Sequence, residues 1–130
     1  METPARILVV EEEEGAVGRN CLSALSADGH DVAKVAPGEA AMDAIQNGRF
    51  DVAMLGVKMP GYGLRILRAL RRLSPQTEIV VIAERPSLAK AKESIRLGAL
   101  EYVTKPFGPE ALRRLVETAL AWKPWKMQEE

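Results

Sequence analysis

Glu11 and Glu12 are adjacent carboxylates directly after a short apolar run, Ile7-Leu8-Val9-Val10, and Lys105 stands far downstream between Thr104 and Pro106. Carboxylate oxygens suit a hard cation such as magnesium, and an ammonium suits a phosphate-like anion. The set could therefore bracket a divalent ion and a phosphoryl group. No aspartate, serine, cysteine or histidine stands with them as an evident nucleophile. Asp28, Asp31, Asp43 and Asp51 are expected at a helix exit, within a helix or before a strand, off the place where the set would gather. Each of these residues also has a plainer role. Glu11 and Glu12 can serve the start of a helix, where negative side chains are favoured. Lys105 can pair with either glutamate and relieve their repulsion. The residues alone argue against an enzyme.

The elements that must position them alternate in texture. Ile7–Val10, Val32–Val35, Val52–Leu55, Ile79–Ile82 and Leu100–Thr104 are short, apolar and partly β-branched, as strands covered on both faces should be. Between and after them the apolar residues take helical spacing. Val17, Cys21 and Leu25 form one stripe, and Ala40, Ala41, Ala44 and Ile45 form a second. Leu64, Leu67 and Leu70 follow, with Arg65, Arg68, Arg71 and Arg72 mostly on the wet side. Ala91, Ile95 and Ala99 mark the fourth helix, and Leu112, Leu115, Val116 and Ala119 the fifth. Gly29, Gly48, Pro75 and Gly98 punctuate the helix ends. Five βα units of this kind predict an α/β fold, a doubly wound five-stranded parallel sheet with right-handed crossovers. Ligands of such sheets bind beyond the carboxyl ends of the strands. That rule selects Glu11 and Glu12, Gly56, Ala83 with Glu84, and Thr104-Lys105-Pro106, while the second strand, ending near Ala36, offers nothing reactive.

Composition bounds the partners. Lysine plus arginine is 18 and aspartate plus glutamate is 18, so the net charge is zero and nucleic acid is not an expected partner. The halves differ, with 5 basic and 10 acidic residues in 1–60 and 13 basic and 8 acidic in 61–130. These read as solvated helix faces, or as a docking surface on the later helices. A lone Cys21 and a lone His30 exclude an internal disulfide and histidine-rich metal sites, and Cys21 reads as a buried small hydrophobe. Glu2 and Glu11–Glu14 interrupt any apolar stretch long before a membrane-spanning length, which predicts a cytoplasmic protein. The 130 residues suit one domain over 1–121, with 122–130 as a tail or the start of a linker.

From Arg6 to Leu120 the chain resembles the receiver domain of two-component response regulators. The resemblance rests on Ile7-Leu8-Val9-Val10-Glu11-Glu12, Pro37-Gly38-Glu39-Ala40-Ala41, Met59-Pro60-Gly61, and the run from Gly98 through Tyr102, Lys105 and Pro106 to Phe107. It implies a flavodoxin-like receiver fold of strand order 2-1-3-4-5. It also implies phosphoryl transfer from a histidine kinase to an aspartate ending the third strand, assisted by magnesium on the acidic pair and by the lysine, which a cis proline follows. A Thr/Ser after the fourth strand and an aromatic residue on the fifth would relay the change. Carried over residue by residue, the chain departs at the chemistry. The acceptor position is Gly56, which has no side chain. The hydroxyl position is Ala83, the aromatic position Tyr102, and the lysine and proline are Lys105 and Pro106. Glu11 and Glu12 each reach about 1.5 Å further than aspartates would, which a rigid octahedral magnesium site does not ignore. The expectation is a degenerate receiver with no catalytic residue, no cofactor and at most weak magnesium binding at Glu11 and Glu12. It would act without phosphorylation, on a protein partner: a histidine kinase, an output domain or a second copy. The surface expected is the fourth helix, fifth strand and fifth helix. The alternative is a working receiver that uses a different acceptor or a small ligand at the same cleft.

Overall fold

The computed structural model describes residues 4–12, 18–56, 62–83, 85, 87–104 and 108–129. The elements alternate strictly: β1 (Arg6–Glu11), α1 (Gly18–Ala27), β2 (Asp31–Val35), α2 (Glu39–Asn47), β3 (Val52–Gly56), α3 (Tyr62–Leu73), β4 (Glu78–Ala83), α4 (Leu88–Arg96), β5 (Glu101–Thr104) and α5 (Pro109–Glu129). The strands form one sheet of order β2-β1-β3-β4-β5, with every pairing parallel. The chain starts in the sheet interior, steps outward to β2, then crosses back and proceeds to β5. The strand carboxyl ends therefore all lie along one edge of the sheet.

The two-residue period of the strands sorts their side chains into two cores. Leu8, Val10, Ala53, Leu55, Ile79 and Val81 face α2 and α3, where Ala41, Ile45, Ile66, Leu67 and Leu70 meet them. Ile7, Val9, Val52, Met54, Val80 and Ile82 face Cys21 and Leu25 of α1 and Leu112, Val116 and Ala119 of α5. Burial on both faces is why β1, β3 and β4 read as continuous apolar runs rather than as alternating ones. Edge strand β2 is only partly covered, and its pattern is weaker accordingly.

Two glycines are required where they stand. Gly29 and Gly98 adopt positive φ, 93° and 111°, just past α1 and α4. After α1 the N–H of Gly29 donates to the Ser26 carbonyl and that of His30 to the Leu25 carbonyl. After α4, Gly98 donates to Ile95 and Ala99 to Ser94. Each pair closes a Schellman turn that satisfies the last helical carbonyls and aims the chain into the next strand.

Two elements depart from the periodicity. In α4 the buried residue is Ser94, whereas Ile95 is 49% exposed and Leu88 72% exposed. Ser94 satisfies its hydroxyl on the Lys90 carbonyl at 2.8 Å, so a small polar residue can face the core without an orphaned group. Since α4 packs beside β5, the last strand of the sheet, part of its apolar stripe runs off the edge. Helix α5 is longer than its apolar pattern suggests: its backbone stays helical to Glu129, across the segment expected as a tail. No helix among the described residues is long and apolar enough to cross a membrane.

Candidate functional site

The strand carboxyl ends bring four of the expected residues to one edge. Glu11 is the last residue of β1 and lies in register with Gly56, the last residue of β3. Ala83 ends β4 in register with Thr104, the last residue of β5. Glu12 follows β1 directly and is exposed. Lys105 and Pro106, next in the chain after Thr104, lie outside the described residues, as do Met59-Pro60-Gly61.

Strand parity decides which groups share a face. Glu11 follows Ile7 and Val9 onto the α1/α5 side, and Gly56 follows Val52 and Met54 onto the same side. A side chain at 56 would therefore stand beside the Glu11 carboxylate, one strand spacing of about 4.8 Å away. Ala83 and Thr104 share the opposite side with Val81 and Tyr102. Tyr102 packs on the α2/α3 core, and its hydroxyl donates to the carbonyl of Arg85, in the loop that leaves β4, at 3.4 Å. That bond ties the ring to the loop beyond Ala83.

Glu11 is not a helix-start residue. It is the last residue of β1. The carboxylate is instead buried, with no exposed side-chain surface, and its Oε1 lies 3.5 Å from the Lys34 ammonium. Lys34 is on β2 opposite Val9, one pleat back from Glu11 and on the same face, so its stem runs diagonally to the carboxylate. A buried carboxylate is costly unless a cation or hydrogen-bond donors compensate it. Lys34 supplies such a cation. Strand β2 therefore does contribute a charged group to this end of the sheet, contrary to the sequence expectation. The signal for it was a lysine at an inward-facing position of the run Val32-Ala33-Lys34-Val35. Close by, Cys21 is buried on α1, and burial first, then the Glu11 charge, push its thiol above the ordinary range.

The model of the response regulator receiver domain matches residues 7–117. An uncharacterized transcriptional regulatory protein of Bacillus subtilis, YkoG, is 35% identical over 115 residues, covering 88% of this chain and 50% of its own. The response regulator MprA of a Mycobacterium species is 36% identical over 110 residues, covering 84% of this chain and 47% of its own. The chain thus spans about half the length of the curated relatives it matches. Among solved structures, a CheY-like receiver domain from Methanospirillum hungatei superposes with a TM-score of 0.84 at 24% identity, covering 95% of this chain and 99% of that one. By its sheet, its residue pattern and its relatives, the chain belongs to the response regulator receiver domains of two-component signalling.

Proposed function

We propose that this receiver domain works without accepting a phosphoryl group and signals by constitutive protein–protein contact. The observation that carries the reading is Gly56. It ends β3 in register with Glu11, the place where the family's acceptor aspartate is expected, and a glycine supplies neither nucleophile nor carboxylate. Ala83, at the expected hydroxyl position, has no group to bond a phosphoryl oxygen, so Tyr102 would be held by its bond to the Arg85 carbonyl rather than switched. In this reading Lys105, with Pro106 after it, is a retained family residue without a phosphoryl group to meet.

The surface that fits such a role is α4, β5 and α5. Leu88 and Ile95 are a full two turns apart on α4, on one exposed face. Between β5 and α5 runs a groove of about 270 Å³ lined by Val103, Thr104, Ala111 and Leu115 among others. An output domain, a histidine kinase or a second copy of the chain would meet this surface, and relatives of twice the length leave room for an output region.

The test is intact mass after incubation with acetyl phosphate and magnesium. The expected mass is unchanged. A gain of about 80 Da, one phosphoryl unit, would replace this reading with that of a working receiver using a different acceptor.

A further inference from the structure

The geometry points to Lys34 as a cation built into this cleft: its ammonium offsets the Glu11 charge from the neighbouring strand, and this opposes a divalent ion. The inference extends the reading above, because it takes position 56 to be without a carboxylate.

Receivers imply a magnesium ion at the carboxyl end of β1, where the described residues offer it few oxygens. Magnesium asks for near-octahedral oxygen at short distance, commonly with one or two carboxylates among its ligands. Here Glu11 has no exposed side-chain surface and its Oε1 is 3.5 Å from the Lys34 ammonium. On the other side of Glu11 stands Gly56, which contributes no side-chain oxygen. Glu12 is exposed beyond the strand end. Among the described residues no group of three His, Cys, Asp or Glu side chains comes together. The donor set among the described residues therefore does not fit the ion.

Lys34 adds an active term to that misfit. A divalent ion on Glu11 would sit a few ångströms from a like charge, on a carboxylate that has no exposed side-chain surface. The ammonium is covalently attached, so it pairs without the translational cost that a free ion incurs, and the Lys34 side chain is 33% exposed. Displacing it would separate two opposite charges 3.5 Å apart. The pair is part of the chain, where a bound ion would be exchangeable.

The experiment measures Mn2+ binding by electron paramagnetic resonance at constant ionic strength, on the parent, Gly56→Asp, and Gly56→Asp combined with either Lys34→Gln or Lys34→Arg. The parent should show no saturable binding at millimolar ion. Gly56→Asp should bind weakly. Lys34→Gln in that background should tighten binding at least about tenfold, and Lys34→Arg, which keeps the charge, should not. Submillimolar binding to the parent would overturn the assignment, and that measurement needs no variant to fold. Equal affinity in Gly56→Asp with and without Lys34→Gln would overturn it too. Phosphoryl uptake by the parent would overturn the functional reading alone, since the Mn2+ affinities are measured without any phosphodonor.

Discussion

At the scale of single residues, the site is defined as much by what surrounds Glu11 as by Glu11 itself. A carboxylate with no exposed surface, a lysine reaching it from the next strand and a thiol raised by burial and by the same charge form one local environment. The thiol gives a pH prediction. A folded-state pKa above the unfolded one means that the neutral thiol is favoured on folding. This contribution is fully present below the unfolded value, near 8.5, and is lost as pH rises through the folded one. Stability should therefore fall on the alkaline side more steeply in the parent than in Cys21→Ala. Urea melts of both proteins across that window would check this, and parallel pH profiles would refute it. Native alkylation of Cys21 should also be slow, because the thiolate is both scarce and covered.

At the scale of elements, the helix ends carry information that the strands lack. Gly98 closes α4 at φ 111°, and a Cβ built there would lie 2.6 Å from Nε and 2.7 Å from Cδ of Arg71 on α3. Arg71 in turn donates to the Pro75 carbonyl at 3.3 Å. Gly98→Ala should cost about 1–3 kcal/mol, combining backbone strain with displacement of a side chain that bridges α3 to the start of β5. The check is the denaturation midpoint. A change under about half a kcal/mol would show that the turn tolerates an ordinary residue. The helix order was legible from apolar spacing alone, because each helix covers one face of the sheet. The exposure of Ile95 was not legible. Spacing reports which residues share a helix face, but not whether the sheet beneath that face extends far enough to cover them.

At the scale of the whole molecule, two buried cores hold the central strands while the β5 edge keeps apolar surface in water. Leu88 is 72% exposed and Ile95 49% on α4, and a groove runs between β5 and α5. If this face mediates self-association, Leu88→Glu with Ile95→Glu should shift the protein to monomer at concentrations where the parent is a dimer. The double variant should keep its thermal stability, since neither side chain is in a core. Light scattering coupled to size exclusion measures it. A parent that stays monomeric throughout would remove the second copy as partner and leave the output domain and the kinase.

The sequence by itself determined the number, kind and order of the elements, since βα alternation and two-sided burial leave their signature in the spacing of Ile, Leu, Val and Ala. It also placed Glu11, Gly56 and Ala83 at the carboxyl ends of strands, because each directly follows an apolar run, and the structure extends each strand by that one residue. Only the tertiary structure decided which neighbours those residues would have. Glu11 and Lys34 are far apart in the chain, and their contact depends on β2 pairing with β1 in the register that sets Lys34 opposite Val9. A slip of one residue would have sent Lys34 to the opposite face, away from Glu11. Register belongs to the pairing of two strands, and neither strand's sequence alone contains it.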